Sequence, residues 1–437
     1  MHSWLPLPHH APYLPTEILF EILASLTDTD TPRSPSTVHP PDLDLIAASL
    51  VCRSWRAAAS VFMHKHGWRV LDLATTGWIP EAILRIARIV EEAERLGVGM
   101  HTLFPGVVHL TLDPATVNDL TSPALVLLSR LLRPHTLELC SSSLLPSAIP
   151  AFFALLGAAA HPYCKTLYLH HTYPPHLLHP LLVALRPTHL HLINHTTLTA
   201  DHFALLAPLA TTLQTLTLRL PSYNTPCNTY TLAKILRRLP NLRHFALWGA
   251  QCDDPEALNP VFGAIASVCL EIETLEVPDL YSTPPAHLVA GTQTPRALVR
   301  LVKSCTKLRR IDLTGHACLD RSFLALLLRH QRELREIVLA GCVNLADPLE
   351  RGGAGTGGGV GELWPELETL DLSQGARDVS SEFLWRVVRS APRLREIAIP
   401  GHMVAEMEFR ARLAGTGLTG WEDGGKFRKW EKRLEVL

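Results

Sequence analysis

The sequence predicts an α/β solenoid, in which a curved parallel sheet carries outer helices, preceded by a small all-α module. Three observations predict it: a short strand motif that recurs along most of the chain, helix-like apolar stretches between its copies, and a purely helical pattern ahead of them. We expect four segments: an N-terminal extension over 1–13, the helical module over 14–66, the solenoid over 67–414, and a capping helix or tail over 415–437.

The recurring motif consists of two apolar residues on either side of one variable residue. It occurs eleven times, from Leu110-Thr111-Leu112 to Ile397-Ala398-Ile399, at intervals of 23 to 36 residues with a mean near 29. Such alternation is typical of a short strand with one buried face. A strand and a helix repeating at this period predict stacked units that share one core. Helix-like stretches lie between the strands at residues 123–132, 200–209, 230–239, 295–305 and 322–330.

One unit makes the resemblance to a known family specific. It fits the LxxLxLxxCxxLxD pattern of cysteine-containing leucine-rich repeats with Leu334, Ile337, Leu339, Cys342, Leu345 and Asp347. The chain therefore resembles leucine-rich repeat proteins, of the class found in F-box proteins. Other units depart from the pattern, since His316 and Gly375 stand where the cysteine would be. We expect the cysteines of these units to be small buried side chains that pack between coils.

The N-terminal module is predicted to be helical. Pro15 suits the first turn of a helix. A second helix is predicted from near Leu43 through Trp55. A module of about fifty residues barely sustains its own core, so we expect part of its apolar surface to bind a partner. The first helix carries one apolar stripe at helical spacing, formed by Ile18, Leu19, Ile22, Leu23 and Leu26.

Two short motifs in this module, LPxE from Leu14 and VCRxW from Val51, resemble the F-box of fungal-type F-box proteins. The F-box docks on the adaptor subunit of cullin-based ubiquitin ligases. The resemblance implies a substrate-recognition subunit of an SCF-type ligase, with a Skp-type adaptor and, through it, a cullin as partners. It implies that the adaptor is contacted by Leu14, Pro15, Ile18, Leu19, Ile22, Leu23, Leu50, Val51, Cys52 and Trp55.

The two halves of this module are separated by a longer segment than in the usual F-box. The insert, residues 27–42, is rich in Thr, Asp, Ser and Pro. Long surface loops cost little free energy because closure entropy grows only logarithmically with length. We expect a disordered insert and helices that pack as usual. The alternative function is a repeat scaffold unconnected to ubiquitin, in which the module only caps the solenoid.

The variable residue of each motif is predicted to lie on the inner, concave face of the sheet, because side chains alternate along a strand. Carboxylates are more frequent there in the later units. We predict that this face binds a protein substrate with a basic segment, using aromatic anchors and steering charges. The predicted contacts are Tyr168, His191, Trp248, Glu276, Asp312 and Asp371. The alternative is a solvated polar face with no ligand.

Composition argues against two other classes of partner. The net charge is −1, from 40 Lys and Arg against 41 Asp and Glu, whereas nucleic-acid binding needs a surplus of cations. The uncharged stretch 140–164 is interrupted by prolines and holds no apolar run near the roughly 20 residues that a membrane helix needs. We expect no nucleic acid, no membrane span, and a buried helix within this stretch.

No motif for catalysis, a cofactor or a metal is found. The Gly-rich segment 351–361 lacks the Lys-Ser/Thr that would hold phosphate. The 23 histidines follow no ligand spacing. We therefore expect a non-catalytic protein with no cofactor and no metal. The nine cysteines form no CxxC pair, and prolines break residues 1–10, which predicts reduced thiols in the cytoplasm or nucleus.

The tail is predicted to cap the solenoid. Its apolar residues Phe427, Trp430, Leu434 and Leu437 have helical spacing, and a solenoid needs a terminal cap to cover its last core layer. The alternative is a tail that folds back over the concave face and gates it.

Overall fold

The chain forms two compact units, which are described separately. The first unit contains residues 1–170 and 176–185, and the second contains 171–175 and 186–437. The computed structural model describes residues 15–27, 37–38, 42–51, 53–66, 69–74, 80–99, 103–104, 107–113, 122–140, 148–158, 163–170, 173–194, 200–220, 228–250, 256–278, 294–320, 322–346, 364–373, 379–400, 403, 418–419 and 429–432.

The first unit begins with three helices that pack against one another. They are α1 (Thr16–Thr27), α2 (Asp42–Ala48) and α3 (Arg53–His66). Each helix contributes apolar side chains to a common buried core, which contains Leu19, Leu23, Leu45, Ile46 and Ala59.

The single second helix predicted from Leu43 through Trp55 is wrong, because a turn over Ser49–Val51 divides it into α2 and α3. The Ser49 hydroxyl donates to the carbonyl of Ile46 at 2.6 Å, and Arg56 Nε donates to the carbonyl of Ser49 at 3.2 Å. Side-chain bonds of this kind compete with the helical ladder for backbone groups. They hold the turn in place and end α2.

A parallel, in-register sheet follows in the first unit, consisting of β2 (Val70–Asp72), β3 (His109–Leu112), β4 (Thr136–Leu139) and β5 (Thr166–His170). The leucine at the second position of each strand is buried, whereas the residues before and after it are on the opposite face of the sheet. These leucines are Leu71, Leu110, Leu137 and Leu167. We call this opposite side the open face. The helices of these repeats are α4 (Pro80–Arg95), α5 (Ser122–Leu132), α6 (Ile149–Ala158) and α7 (Pro175–Leu185).

Part of the insert is ordered, contrary to the predicted disorder. Thr37–Val38 form β1, which pairs in parallel with β2. An edge strand exposes unpaired backbone groups, and β1 covers the edge of β2. Residues 28–36 and 39–41 of the insert lie outside the described residues.

The second unit continues the repeat with eight parallel strands. They are β6 (His189–Ile193), β7 (Thr215–Arg219), β8 (His244–Trp248), β9 (Thr274–Glu276), β10 (Arg310–Asp312), β11 (Glu336–Val338), β12 (Thr369–Asp371) and β13 (Glu396–Ala398). Its helices are α8 (Ala200–Ala204), α9 (Thr229–Leu236), α10 (Asn259–Val268), α11 (Arg296–Ser304), α12 (Phe323–His330) and α13 (Ser381–Ser390), with a 3₁₀ turn at Ala207–Leu209.

Strands are present at all eleven predicted motifs, and the predicted fold class is confirmed. The strand β2 was not predicted, although Leu71-Asp72-Leu73 has the same alternation as the other motifs. The uncharged stretch 140–164 contains the helix α6, whose residues Phe152 and Leu156 are buried. Among the described helices, none combines the length and apolar character needed to cross a membrane.

The helix predicted for the tail is wrong where the structure describes the tail. Leu418–Thr419 and Lys429–Lys432 form β14 and β15, an antiparallel pair, and β15 also pairs antiparallel with β13. A strand satisfies the backbone groups at the edge of β13, which a helix would leave unpaired. Of the predicted apolar residues, Trp430 is in β15, and Phe427, Leu434 and Leu437 lie outside the described residues.

Small polar side chains fill the core between neighbouring repeats of the second unit. Cys269, Cys305 and Cys342 are fully buried, as predicted. Cys342 Sγ is 3.2 Å from the carbonyl of Leu313. Gln331 is also fully buried, and its Nε2 donates to the carbonyls of Val302 and Cys305 at 2.5 and 2.9 Å. The Gln331 amide therefore joins two repeats through the end of α11.

We predict that Gln331→Leu lowers the free energy of unfolding by about 1–3 kcal/mol, because it removes the donor that two buried carbonyls share. Urea denaturation followed by circular dichroism measures the change. The matched control is Arg332→Gln at the exposed neighbouring position, which should stay within about 0.5 kcal/mol of the parent. Equal stability of the two variants would contradict a structural role for the Gln331 amide.

Candidate functional site

Exposed apolar side chains lie on the three-helix module. Ile18, in the first turn of α1, is 44% exposed, and Val51, in the turn between α2 and α3, is 57% exposed. Pro15, next to α1, is also exposed, while Ile22, Leu50 and Trp55 are half-buried. Leu14 and Cys52, two other predicted adaptor contacts, lie outside the described residues.

The predicted adaptor stripe on α1 divides into two rows with different roles. Leu19 and Leu23, four residues apart, are 3% and 0% exposed and belong to the core of the module. Ile18 and Ile22 form the adjacent row, which is more exposed. Residues four apart share a helix face, and residues one apart do not. The prediction that Leu19 and Leu23 contact the adaptor is therefore corrected: both side chains are buried in the core of the module.

Hydrogen bonds from both neighbouring helices hold the turn that contains Val51. The amide of Leu50 donates to the carbonyl of Ala47 at 3.0 Å, and the amide of Val51 donates to that of Ala48 at 3.2 Å. The bond from Arg56 to Ser49, described above, ties α3 to the same turn. The turn therefore presents the apolar side chain of Val51 to solvent without a loss of backbone hydrogen bonds.

A second site occupies the open face of the first unit, where three strands bring polar side chains together. Glu138 accepts a hydrogen bond from His109 Nε2 at 2.9 Å and from His170 Nε2 at 2.6 Å, one on each carboxylate oxygen. These bonds hold the pKa of Glu138 well below its usual range, in opposition to burial. Tyr168, a predicted substrate anchor, stacks on His109 with ring centroids 6.4 Å apart.

Cys140 belongs to the same cluster and was not predicted as a functional residue. Its Sγ is 3.9 Å from Glu138 Oε1. Burial raises the pKa of the thiol to about 12, with further contributions from the charges of Glu138, Asp72 and Asp113. The members of this cluster come from neighbouring repeats, so no short motif reveals them. The register of the strands, if applied to the variable positions, would have placed them side by side.

A depression of about 290 Å³ marks the open face of the second unit. The small side chain of Ala246 lies between larger neighbours on the adjacent strands, Thr217 and Glu276. The depression is lined by Thr215, Thr217, His244, Phe245, Ala246, Thr274, Glu276 and Arg310.

One predicted substrate contact, Glu276, lines this depression, and a second, Trp248, is bonded to Glu276. Trp248 is half-buried and donates a hydrogen bond to Glu276. Arg310 Nε is 2.9 Å from Glu276 Oε1, without hydrogen-bond geometry, and Arg310 also pairs with Glu336. Burial raises the pKa of Glu276, with contributions from the nearby carboxylates of Asp312 and Glu336 that Arg310 opposes. Two glutamates thus share one arginine, which leaves this part of the face negative.

Two other predicted contacts have local roles that sequence reasoning missed. Asp312 is only 6% exposed, and its Oδ1 accepts bonds from the amide and hydroxyl of Thr314 at 3.1 and 2.8 Å. Asp371 accepts a bond from the amide of Ser373 at 2.9 Å. Asp312 and Asp371 therefore shape the turns after β10 and β12. The prediction that Asp312 is a solvent-facing substrate contact is corrected, because its carboxylate is buried and bonded to Thr314.

His191 is the last predicted contact and lies in β6. Burial, together with the neighbouring His189, lowers the pKa of His191 from its ordinary 6.5 to about 4. The unfolded chain therefore takes up a proton at this residue below pH 6.5, whereas the folded chain does so only near pH 4. The neutral imidazole makes the folded state lose stability as the pH falls through this window.

We predict that His191→Asn reduces the acid sensitivity of folding between pH 6.5 and pH 4, because the substituted side chain takes up no proton. The urea midpoint should fall less steeply with pH in the variant than in the parent over this window. Above pH 7.5 the two slopes should agree, which serves as the internal control. Equal slopes between pH 6.5 and pH 4 would contradict a neutral, half-buried His191.

Comparisons with known proteins identify the N-terminal module. A family model described as F-box-like matches residues 11–66. No curated protein matches the chain. A chain of the crystal structure of the Rad7 and Elc1 complex in yeast is similar at 13% identity, with 89% of this chain and 86% of that chain covered and a TM-score of 0.47.

A chain of the TLR13–ssRNA13 complex is similar at 12% identity, with 76% of this chain and 53% of that chain covered and a TM-score of 0.35. Structural likenesses at these scores say nothing about function. The family match and the three packed helices agree with each other. Residues 11–66 are an F-box-like domain.

Proposed function

We propose that the protein is a non-catalytic substrate-recognition subunit of an SCF-type cullin ubiquitin ligase. The F-box-like domain docks on a Skp-type adaptor, and the repeats bind a protein substrate. The observation that carries this proposal is the exposure of Ile18 and Val51, two large apolar side chains at positions that match the F-box pattern. Full burial of one such side chain in an interface is worth about 1.5–3 kcal/mol.

The exposed side chains favour adaptor docking over the scaffold alternative. A module that only capped the repeats would use its apolar residues internally, as it uses Leu19 and Leu23. The side chains of Ile18 and Val51 are instead exposed to solvent and do not belong to the buried core of the module. The family match at 11–66 supports the same choice.

Substrate binding is assigned to the open face of the second unit. The depression at Ala246 has room for one or two side chains of a partner, and the half-buried ring of Trp248 offers an aromatic anchor. The excess of carboxylates over Arg310 favours a Lys or Arg side chain and steers its approach. The subunit would then act by proximity, since holding a substrate lysine near the charged enzyme raises its effective concentration.

We predict that Ile18→Asp and Val51→Asp each weaken binding of the full chain to the purified Skp-type adaptor at least tenfold, because a charge in an apolar interface must be desolvated. Binding is measured by isothermal titration calorimetry, and folding by thermal melting. Leu23→Asp, in contrast, should unfold the module, since Leu23 is fully buried.

The matched control is Val61→Asp, at a valine on α3 that is 55% exposed but is not part of the F-box pattern. It should bind the adaptor like the parent. A folded parent without affinity for the adaptor would leave the scaffold alternative. Equal loss in the Val51 and Val61 variants would contradict the assigned docking surface.

A second prediction concerns the substrate face. Peptides selected from a random library on the immobilised full chain should be enriched in Lys and Arg. Ala246→Leu fills the depression without any change of charge, and we expect it to weaken binding of the selected peptides at least tenfold in fluorescence anisotropy. Glu276→Gln should reduce the preference for cationic peptides.

Ala398→Leu is the matched control for this experiment. Ala398 occupies the equivalent position of β13 and is 7% exposed, compared with 8% for Ala246. Selected peptides without excess positive charge would contradict the predicted substrate class. Equal effects of the two alanine replacements would contradict the assigned position of the site.

A further inference from the structure

Three types of metal-binding atom converge on the open face of the first unit. One carboxylate oxygen of Glu138, Cys140 Sγ and one ring nitrogen of His170 all lie within 4.8 Å of one another, and no other such group occurs among the residues that the structure describes. Glu138 is in β4 and His170 is in β5, while Cys140 directly follows β4, where its amide donates to the carbonyl of Leu112 at 2.8 Å; β3 contributes His109 beside them. Paired parallel strands fix the spacing of the side chains, so the cluster is part of the rigid sheet rather than of a loop.

The surroundings of the cluster favour a cation. Two further carboxylates belong to the neighbouring strands: the register pairs Asp72 with Thr111 and Thr111 with Glu138, and Asp113 directly follows β3. The side chains are partly covered, with 20% exposure for Glu138 and 22% for His170, so their charges are only partly screened by solvent. A dication held between these groups would offset this concentration of negative charge.

We propose that the open face of the first unit binds a zinc ion through Glu138 Oε1, Cys140 Sγ and His170 Nε2. His109 would be a positioning residue, since it holds the second carboxylate oxygen at 2.9 Å. Nitrogen, oxygen and thiolate sulfur together are the donors that Zn²⁺ prefers. A hydrogen bond to the outer atom of a ligand typically fixes its orientation.

The distances require only small movements. Zinc ligands lie about 2.0–2.3 Å from the ion in tetrahedral geometry, which separates neighbouring donors by roughly 3.3–3.7 Å. Here His170 Nε2 is 2.6 Å and Cys140 Sγ 3.9 Å from Glu138 Oε1. The first pair must open and the second must close slightly, which side-chain rotation achieves. When the ion binds, the Cys140 thiol releases its proton to solvent. The His170 imidazole changes tautomer, losing the proton on Nε2 to solvent and gaining one on Nδ1, so each donor presents a lone pair.

The competing explanation is a hydrogen-bonded His109–Glu138–His170 triad that binds no metal. The two differ in the role of Cys140, since sulfur adds nothing to the triad but is a ligand of the ion. Cobalt is the sharpest probe, because Co²⁺ replaces zinc in such sites and a thiolate ligand produces a charge-transfer band in the near ultraviolet. The proposal does not rest on ubiquitin-ligase function, and its test is independent of adaptor binding.

The test is titration of the reduced full-length chain with Co²⁺, followed by displacement with Zn²⁺. We expect a thiolate-to-cobalt band that saturates at one equivalent and disappears when zinc is added. Cys140→Ser should lose the band. His170→Asn should raise the dissociation constant for zinc by about 10- to 100-fold or more. Circular dichroism confirms that each variant is folded.

Two matched controls test the position of the ion. Cys164→Ala removes a nearby buried thiol outside the cluster, and His244→Asn removes a strand histidine that bonds to Thr274 rather than to a carboxylate. Both should bind cobalt like the parent. A parent chain without the band would overturn the proposal even if a variant failed to fold, and a band retained in Cys140→Ser would place the ion elsewhere.

Discussion

Each repeat depends on a row of buried leucines that its strand shares with the strands on either side. In the first unit the row consists of Leu71, Leu110, Leu137 and Leu167, which are paired in register and at most 1% exposed. Burying each side chain is worth about 1.5–3 kcal/mol, and one strand with its helix cannot achieve this alone. The row also determines which side chains meet on the open face, because it places the alternate side chains there in aligned positions. The Glu138 cluster and the depression at Ala246 are both products of this alignment.

The first strand and the last strand of the repeats are each paired with an added strand instead of being covered by a helix. At the start, β1 from the insert pairs with β2; at the finish, β15 pairs with β13 in the antiparallel sense. Both added strands form hydrogen bonds with the backbone groups of β2 or β13, which would otherwise be unpaired, and this disfavours association with other chains. The insert of the F-box-like domain is therefore part of the architecture of the repeats.

The periodic features of the fold could be predicted from the sequence, and the features set by single hydrogen bonds could not. Alternating leucines predicted eleven strands because burial of one face imposes that pattern. The break after α2 depends on Ser49 and Arg56, seven residues apart, whose bond has no sequence signature. The apolar pattern of α1 could not show that Leu19 is buried while the adjacent Ile18 is exposed. The carboxylate of Asp312 pointed to a charged surface, yet Thr314 two residues later engages it. His109 and His170 are 29 and 32 residues from Glu138 in the chain, which conceals their contact.

The strand β1 divides the insert into two connections of different length. Three residues separate Val38 from the start of α2 at Asp42, a link that reaches at most about 14 Å. Nine residues separate Thr27 from Thr37, and they can span about two and a half times that distance. The start of α2 must therefore lie close to β1 at the edge of the sheet. The end of α1 is connected to the same strand by a longer segment. Lengthening the chain would be tolerated before β1, while lengthening it after β1 would uncouple α2 from the strand that pairs with the repeats.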